Sequence, residues 1–231
     1  MADQTPYLAP VFPDAALAEN PSQRCPVVLL LDVSASMAGA RISELNQGLQ
    51  AFKDSLGDDP LAKKRVDLAL VTFGAKVEVV HEFSTVDAWN PSPLVAEGNT
   101  PMGEGIRKAL EILQARKDQY RAAGLTPYYR PWVFLITDGE PTDDWLPAAK
   151  LVHTGHTANA FLFFAVGVQD ANKDILRQIC PPGRDPVNLK GLAYRELFLW
   201  LSSSMKSVSR SRPEDKVVLE NPAAPGGWAM T

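Results

Sequence analysis

Val27-Val28-Leu29-Leu30-Leu31-Asp32-Val33-Ser34-Ala35-Ser36 is an apolar run that stops at one carboxylate and two hydroxyls. Five consecutive branched aliphatic residues predict a strand covered on both faces, as in parallel sheets. In an open α/β sheet, ligands bind beyond the carboxyl ends of such strands. Asp32, Ser34 and Ser36 therefore emerge where a ligand is expected. Hard divalent cations such as Mg²⁺ take oxygen donors in octahedral arrangement and usually keep several waters, so this turn offers half a coordination shell.

Strand-like runs recur at 65–73, 76–83, 132–137 and 160–166. Helical periodicity fills the gaps. Ile42, Leu45, Leu49, Phe52 and Leu56 form one apolar stripe, and Ile106, Leu110 and Leu113 another within a helix over 101–123. Further helices are predicted over 144–155, 172–179 and 193–209, the last marked by Tyr194, Leu197, Leu201, Met205 and Val208. This alternation predicts a doubly wound α/β sheet. The tight turn at Gly74 makes 65–73 and 76–83 a hairpin, hence an antiparallel edge strand.

The domain proper is expected over 25–209. Residues 1–24, with Pro6, Pro10, Pro13 and Pro21, read as an irregular arm offering Tyr7, Val11 and Phe12 for packing. Residues 210–231 form a Pro-, Gly- and charge-rich tail with an apolar island, Val217-Val218-Leu219, and one aromatic, Trp228. That Trp228 either folds back onto the domain or anchors a partner.

At 231 residues, 45% hydrophobic and 22% charged, the chain has an ordinary globular composition. A formal net charge of -4 argues against nucleic acid or an anionic membrane as a partner, because both need concentrated Lys and Arg. Met1-Ala2-Asp3-Gln4-Thr5-Pro6 begins no targeting signal, and no run reaches the ~20 apolar residues of a membrane span. A cytoplasmic location is expected. Cys25 and Cys180, with no CxxC spacing, read as reduced structural thiols.

A second apolar strand ends in Ile136-Thr137-Asp138-Gly139-Glu140, and a doubly wound order places it beside the first. Asp32 and Asp138 would then face one crevice. The polar loop Gly98-Asn99-Thr100-Pro101-Met102-Gly103 leads into the helix of 101–123 and can bring Thr100 to the same place. Three hydroxyls and two carboxylates suit Mg²⁺ or Mn²⁺ and leave a coordination position for an external carboxylate.

This pattern, DxSxS with a distant Thr and a TDG aspartate, resembles the metal-ion-dependent adhesion site of von Willebrand factor A domains. The resemblance covers about residues 25–209. It implies a Rossmann-like fold with a mostly parallel six-stranded sheet, one antiparallel edge strand and helices on both faces. It also implies that Ser34, Ser36 and Thr100 contact the metal (Mg²⁺, or Mn²⁺ or Ca²⁺), while Asp32 and Asp138 act largely through bound water. A partner protein's acidic residue would complete the shell, making the chain a non-catalytic interaction module.

Leu31-Asp32-Val33-Ser34-Ala35-Ser36-Met37, Asn99-Thr100-Pro101-Met102-Gly103, Thr137-Asp138-Gly139-Glu140-Pro141-Thr142-Asp143 and Phe164-Ala165-Val166-Gly167-Val168 make the chain most similar to the bacterial TerY family. That family belongs to tellurite-resistance and stress-response loci, which implies a PP2C-type phosphatase and a protein kinase as partners.

Plainer roles compete for several of these residues. Ser36 and Thr100 each precede a helix and fit N-caps, Thr100-Pro101 especially well. Thr142-Asp143-Asp144 reads as a helix start, with Glu140 on the same acidic rim. His153 and His156 share a helix face without a third ligand and read as solvated. The serines between Ser202 and Ser211 read as solvent-facing, with phosphorylation the alternative. A Mg²⁺-dependent hydrolase or phosphotransferase using Asp32 and Asp138 is the competing function, although Asp32 has no second Asp two residues on. Neither GxxxxGK[ST] nor GxGxxG follows the first strand, so nucleotide binding is excluded.

Overall fold

The computed structural model describes Leu17, residues 20–126 and residues 128–230. The arm's Tyr7, Val11 and Phe12 lie outside the described residues. Five apolar runs become β1 (Cys25–Asp32), β2 (Val66–Phe73), β3 (Val77–Thr85), β4 (Trp132–Thr137) and β5 (Leu162–Val168). Every residue of β1, β2 and β4 is buried, as continuous apolar sequence demands. The helices are α1 (Ala40–Gly57), α2 (Pro60–Arg65), α3 (Met102–Ala122), α4 (Leu146–Thr157), α5 (Lys173–Ile179) and α6 (Tyr194–Arg210). The short α2 was not expected. Asp59 caps it, its side chain accepting from the amides of Leu61 and Ala62, and Pro60 occupies its first turn.

The sheet has seven strands in the order β3-β2-β1-β4-β5-β6-β7, not six. The additions are β6 (Val187–Leu189), parallel to β5, and β7 (Ala229–Met230), antiparallel to β6. Both edges are therefore antiparallel, β3 at one and β7 at the other. The tail folds back with β7. Trp228 is buried, its ring edge-on to Trp200 at 5.5 Å.

Side chains of β1 alternate between two cores. Val27, Leu29 and Leu31 pack with α1 and α6, while Val28 and Leu30 pack with α3, α4 and α5. The serines of α6 are divided: Ser202, Ser204 and Ser209 are buried, and Ser203 and Ser207 are exposed. Ser202 Oγ lies 2.6 Å from Ser55 Oγ of α1. Both cysteines are free and buried, and burial pushes each thiol up to about 12.

Helices α1 and α6 touch at Gly48, where a Cβ would fall 2.6 Å from a Phe198 ring carbon and 3.1 Å from the Tyr194 carbonyl oxygen. Only a glycine permits that approach. Gly48→Ala should cost about 1–3 kcal/mol in urea denaturation, as overpacking does, and an unchanged midpoint would show that the two helices can separate freely.

Candidate metal centre

Asp32 ends β1, paired with β2 on one side and β4 on the other. The chain order reverses between β1 and β4, so their carboxyl ends open onto the crevice where α/β sheets bind ligands. Leu31 sits opposite Ile136, which sets Asp32 beside Thr137 and Asp138. Thr137 Oγ1 donates to Asp32 Oδ2 at 2.6 Å, and the Ser34 amide donates to Asp32 Oδ1 at 2.8 Å. The second bond closes an Asx-type turn that bends the chain after β1.

That bend presents the hydroxyls. Ser34 Oγ and Ser36 Oγ lie 2.9 Å apart, and Ser36 Oγ donates to Asp138 Oδ1 at 2.7 Å. Backbone bonds zip the next loop alongside: Glu97 N to Val33 O at 2.7 Å and Ala35 N to Gly98 O at 3.0 Å. Thr100 is thereby carried to the crevice. It is tied to the third loop by Thr142 N to Thr100 O at 2.9 Å and Thr100 N to Thr142 Oγ1 at 3.1 Å. A Cβ on Gly139 would lie 3.2 Å from Thr100 Oγ1 and 3.7 Å from Asp32 Oδ2, so both oxygens flank this glycine.

All five sequence-predicted residues thus converge, from three cross-tied loops. The cap readings do not hold for Ser36 and Thr100. Ser36 lies inside a 3-10 turn (Ala35–Met37), and no side chain caps the start of α3 from its own flank. Among the described residues, Thr100 Oγ1 makes no hydrogen bond. The cap of α3 comes instead from Asp143, whose two oxygens accept from Gly103 N at 2.9 Å and Glu104 N at 2.8 Å. Asp144 serves the helix that follows it, accepting from Leu146 N at 3.2 Å. Glu140 turns to Asn172, whose side-chain amide donates to it at 2.7 Å.

Arg41, in the first turn of α1, was not expected here. Its Nη1 donates to Asp138 Oδ2 and, at 2.9 Å, to the Ser36 carbonyl. Its Nε donates to Gln169 Oε1 at 2.6 Å. Gln169 has φ +48, a left-handed conformation that costs a side-chain-bearing residue energy. Arg41 carries no signal in the sequence, because a basic residue on the polar side of an amphipathic helix looks like any solvated one.

Burial pushes the Asp32 carboxyl up to about 6, against the opposing pull of hydrogen bonds from Ser34 and Thr137, and the charge of Asp138 adds to the rise. Burial likewise raises the phenol of Tyr194, which lies beneath the site and donates to Met37 Sδ at 3.9 Å. Among the described residues, two carboxylates with Arg41 as their one counter-ion, three small hydroxyls and no soft ligand make a donor set suited to a hard divalent cation. No three His, Cys, Asp or Glu side chains among the described residues gather as a metal site, so this centre rests on two carboxylates and its hydroxyls. His153 and His156 are half-buried on α4 rather than solvated, and burial lowers the pKa of His156.

The von Willebrand factor type A domain model matches residues 27–194. The chain belongs to that family. Von Willebrand factor A domains serve as protein–protein interaction modules and commonly bind a divalent metal ion. Among solved structures, the chain is similar to the pilus adhesin SpaC from Lactobacillus rhamnosus GG in an open conformation, at 16% identity and TM-score 0.62 over 80% of this chain and 30% of that one. It is also similar to proximal thread matrix protein 1 of the mussel byssus, at 18% identity and TM-score 0.55 over 82% and 47%. The third is the ArnB paralog VWA2 from Sulfolobus acidocaldarius, at 15% identity and TM-score 0.53 over 78% and 44%. The chain spans less than half the length of each, and at these identities the likeness is one of fold. Comparison with curated proteins gives no significant match.

Thr137→Val keeps the side chain's shape and removes the donor to Asp32. It should cost about 1–3 kcal/mol in chemical denaturation, the penalty for leaving a buried carboxylate oxygen unsatisfied. A change near zero would mean that Asp32 does not depend on Thr137.

Proposed function

We propose that Asp32, Ser34, Ser36, Thr100 and Asp138 form a metal-ion-dependent adhesion site through which the chain binds an acidic residue of a partner protein. Ser34, Ser36 and Thr100 hold Mg²⁺, or the chemically similar Mn²⁺ or Ca²⁺, while Asp32 and Asp138 act through water and as acceptors that orient the hydroxyls. The bound cation supplies an electron-poor centre that attracts a carboxylate. The observation carrying this reading is the Ser34–Ser36–Asp138 chain of hydroxyl contacts, at 2.9 and 2.7 Å, beside a Thr100 hydroxyl that makes no hydrogen bond among the described residues.

The competing reading, a Mg²⁺-dependent hydrolase or phosphotransferase, asks Asp32 or Asp138 to act as nucleophile or base. Both oxygens of Asp32 are engaged by Ser34 and Thr137, and both of Asp138 by Ser36 and Arg41. Such fixed carboxylates suit holding better than attacking. Among the described residues no helix is long and apolar enough to cross a membrane. The resemblance of its sequence phrases to TerY proteins supports reading the module as part of a cytoplasmic bacterial stress or tellurite-resistance system, with a PP2C-type phosphatase and a protein kinase as candidate partners.

Calorimetric titration with Mg²⁺ or Mn²⁺ tests the site. Ser34→Ala should weaken binding by at least about tenfold, the value of one lost charge-assisted contact, with an unchanged circular dichroism spectrum. Equal affinity in the variant would remove Ser34 from the site. A partner captured from a cell extract should be released by EDTA, and one that stays bound would argue against metal bridging.

A further inference from the structure

Arg41 is the one basic side chain in contact with the five site residues among those described. Its guanidinium reaches Asp138 Oδ2 and the Ser36 carbonyl, and Gln169 Oε1 fixes it from a third side at 2.6 Å. The Asp138 side chain is fully buried and that of Arg41 is 24% exposed, so the pair is poorly screened by water. Asp170 lies 4.0 Å from Nη2 but is 98% exposed, and its charge counts for little.

These positions fix a charge balance. Asp32 and Asp138 carry two negative charges, and Arg41 offsets one. A divalent cation entering the remaining single negative charge leaves the assembly with one positive charge in excess. With a neutral residue at position 41 the two carboxylates would cancel the cation fully.

Resting on the reading of the five residues as a metal site, we propose that Arg41 is the positioning residue that sets selectivity for an acidic partner. It weakens the hold on the cation and leaves the loaded site one negative charge short, a deficit that a partner's Asp or Glu carboxylate fills. The same guanidinium, held by Gln169, fixes the Asp138 carboxylate so that its other oxygen stays turned towards Ser36.

The test uses the full chain with Mn²⁺ as the cation and acetate as a single-carboxylate probe. Arg41→Gln should bind Mn²⁺ roughly tenfold more tightly by calorimetry, because a like charge has been removed. Acetate added to the Mn²⁺-loaded protein, followed by water-proton relaxation, should bind the variant several-fold more weakly. Arg41→Lys keeps the charge and should return both values close to wild type, which a purely structural role would not predict. Arg41→Met, which retains the apolar stem, is measured alongside as a second neutral variant in case Arg41→Gln does not fold. Unchanged or weaker Mn²⁺ binding in the neutral variants, or undiminished acetate binding, overturns the role given to Arg41. Failure of wild type and variants alike to bind Mn²⁺ overturns the metal site itself.

Discussion

Asp32 is a carboxylate with no solvent exposure at the end of β1, inside the sheet, and the surrounding loops are arranged around the need to satisfy it. Burying a carboxylate is costly unless its oxygens are hydrogen-bonded. The Ser34 amide and the Thr137 hydroxyl meet that need, and each in doing so fixes a loop. The first bond bends the chain so that Ser34 and Ser36 lie side by side. The second joins β1 to the end of β4 and so brings Asp138 within reach of Ser36. The parallel register of β1 against β4 makes both bonds possible.

Electrostatics then decides what such a pocket can accept. Burial has driven the Asp32 carboxyl up to about 6, so the free site holds its negative charge under strain. A cation beside it would favour the charged carboxylate, in keeping with the proposed metal site. Arg41 relieves that strain only in part, by pairing with Asp138. On this account the guanidinium and the cation share one acidic pocket, and the partner's carboxylate settles the remaining charge.

Much of this was legible in the sequence, for identifiable reasons. The apolar runs of β1 and β4 are long, end in polar residues and belong to an alternating α/β pattern, so their adjacency and the convergence of Asp32 and Asp138 could be inferred before any coordinates. Thr100 was legible as a polar residue before a helix, although its hydroxyl does no capping. The two short strands were not. Val187–Leu189 and Ala229–Met230 are too brief to carry a period, and they exist because Val166–Val168 offers an edge and Trp228 packs on Trp200. In the sequence Asp143 reads as part of the helix start after it, yet it caps α3 from across the crevice, a contact only tertiary structure creates. Arg41 carried no pattern at all.

The most direct measurement is anomalous diffraction at the manganese edge from crystals grown with Mn²⁺. One strong anomalous peak is expected, enclosed by the hydroxyls of Ser34, Ser36 and Thr100, with Asp32 and Asp138 around it. A crystal at millimolar Mn²⁺ with no peak there, or with its only peak elsewhere, would contradict the proposed site.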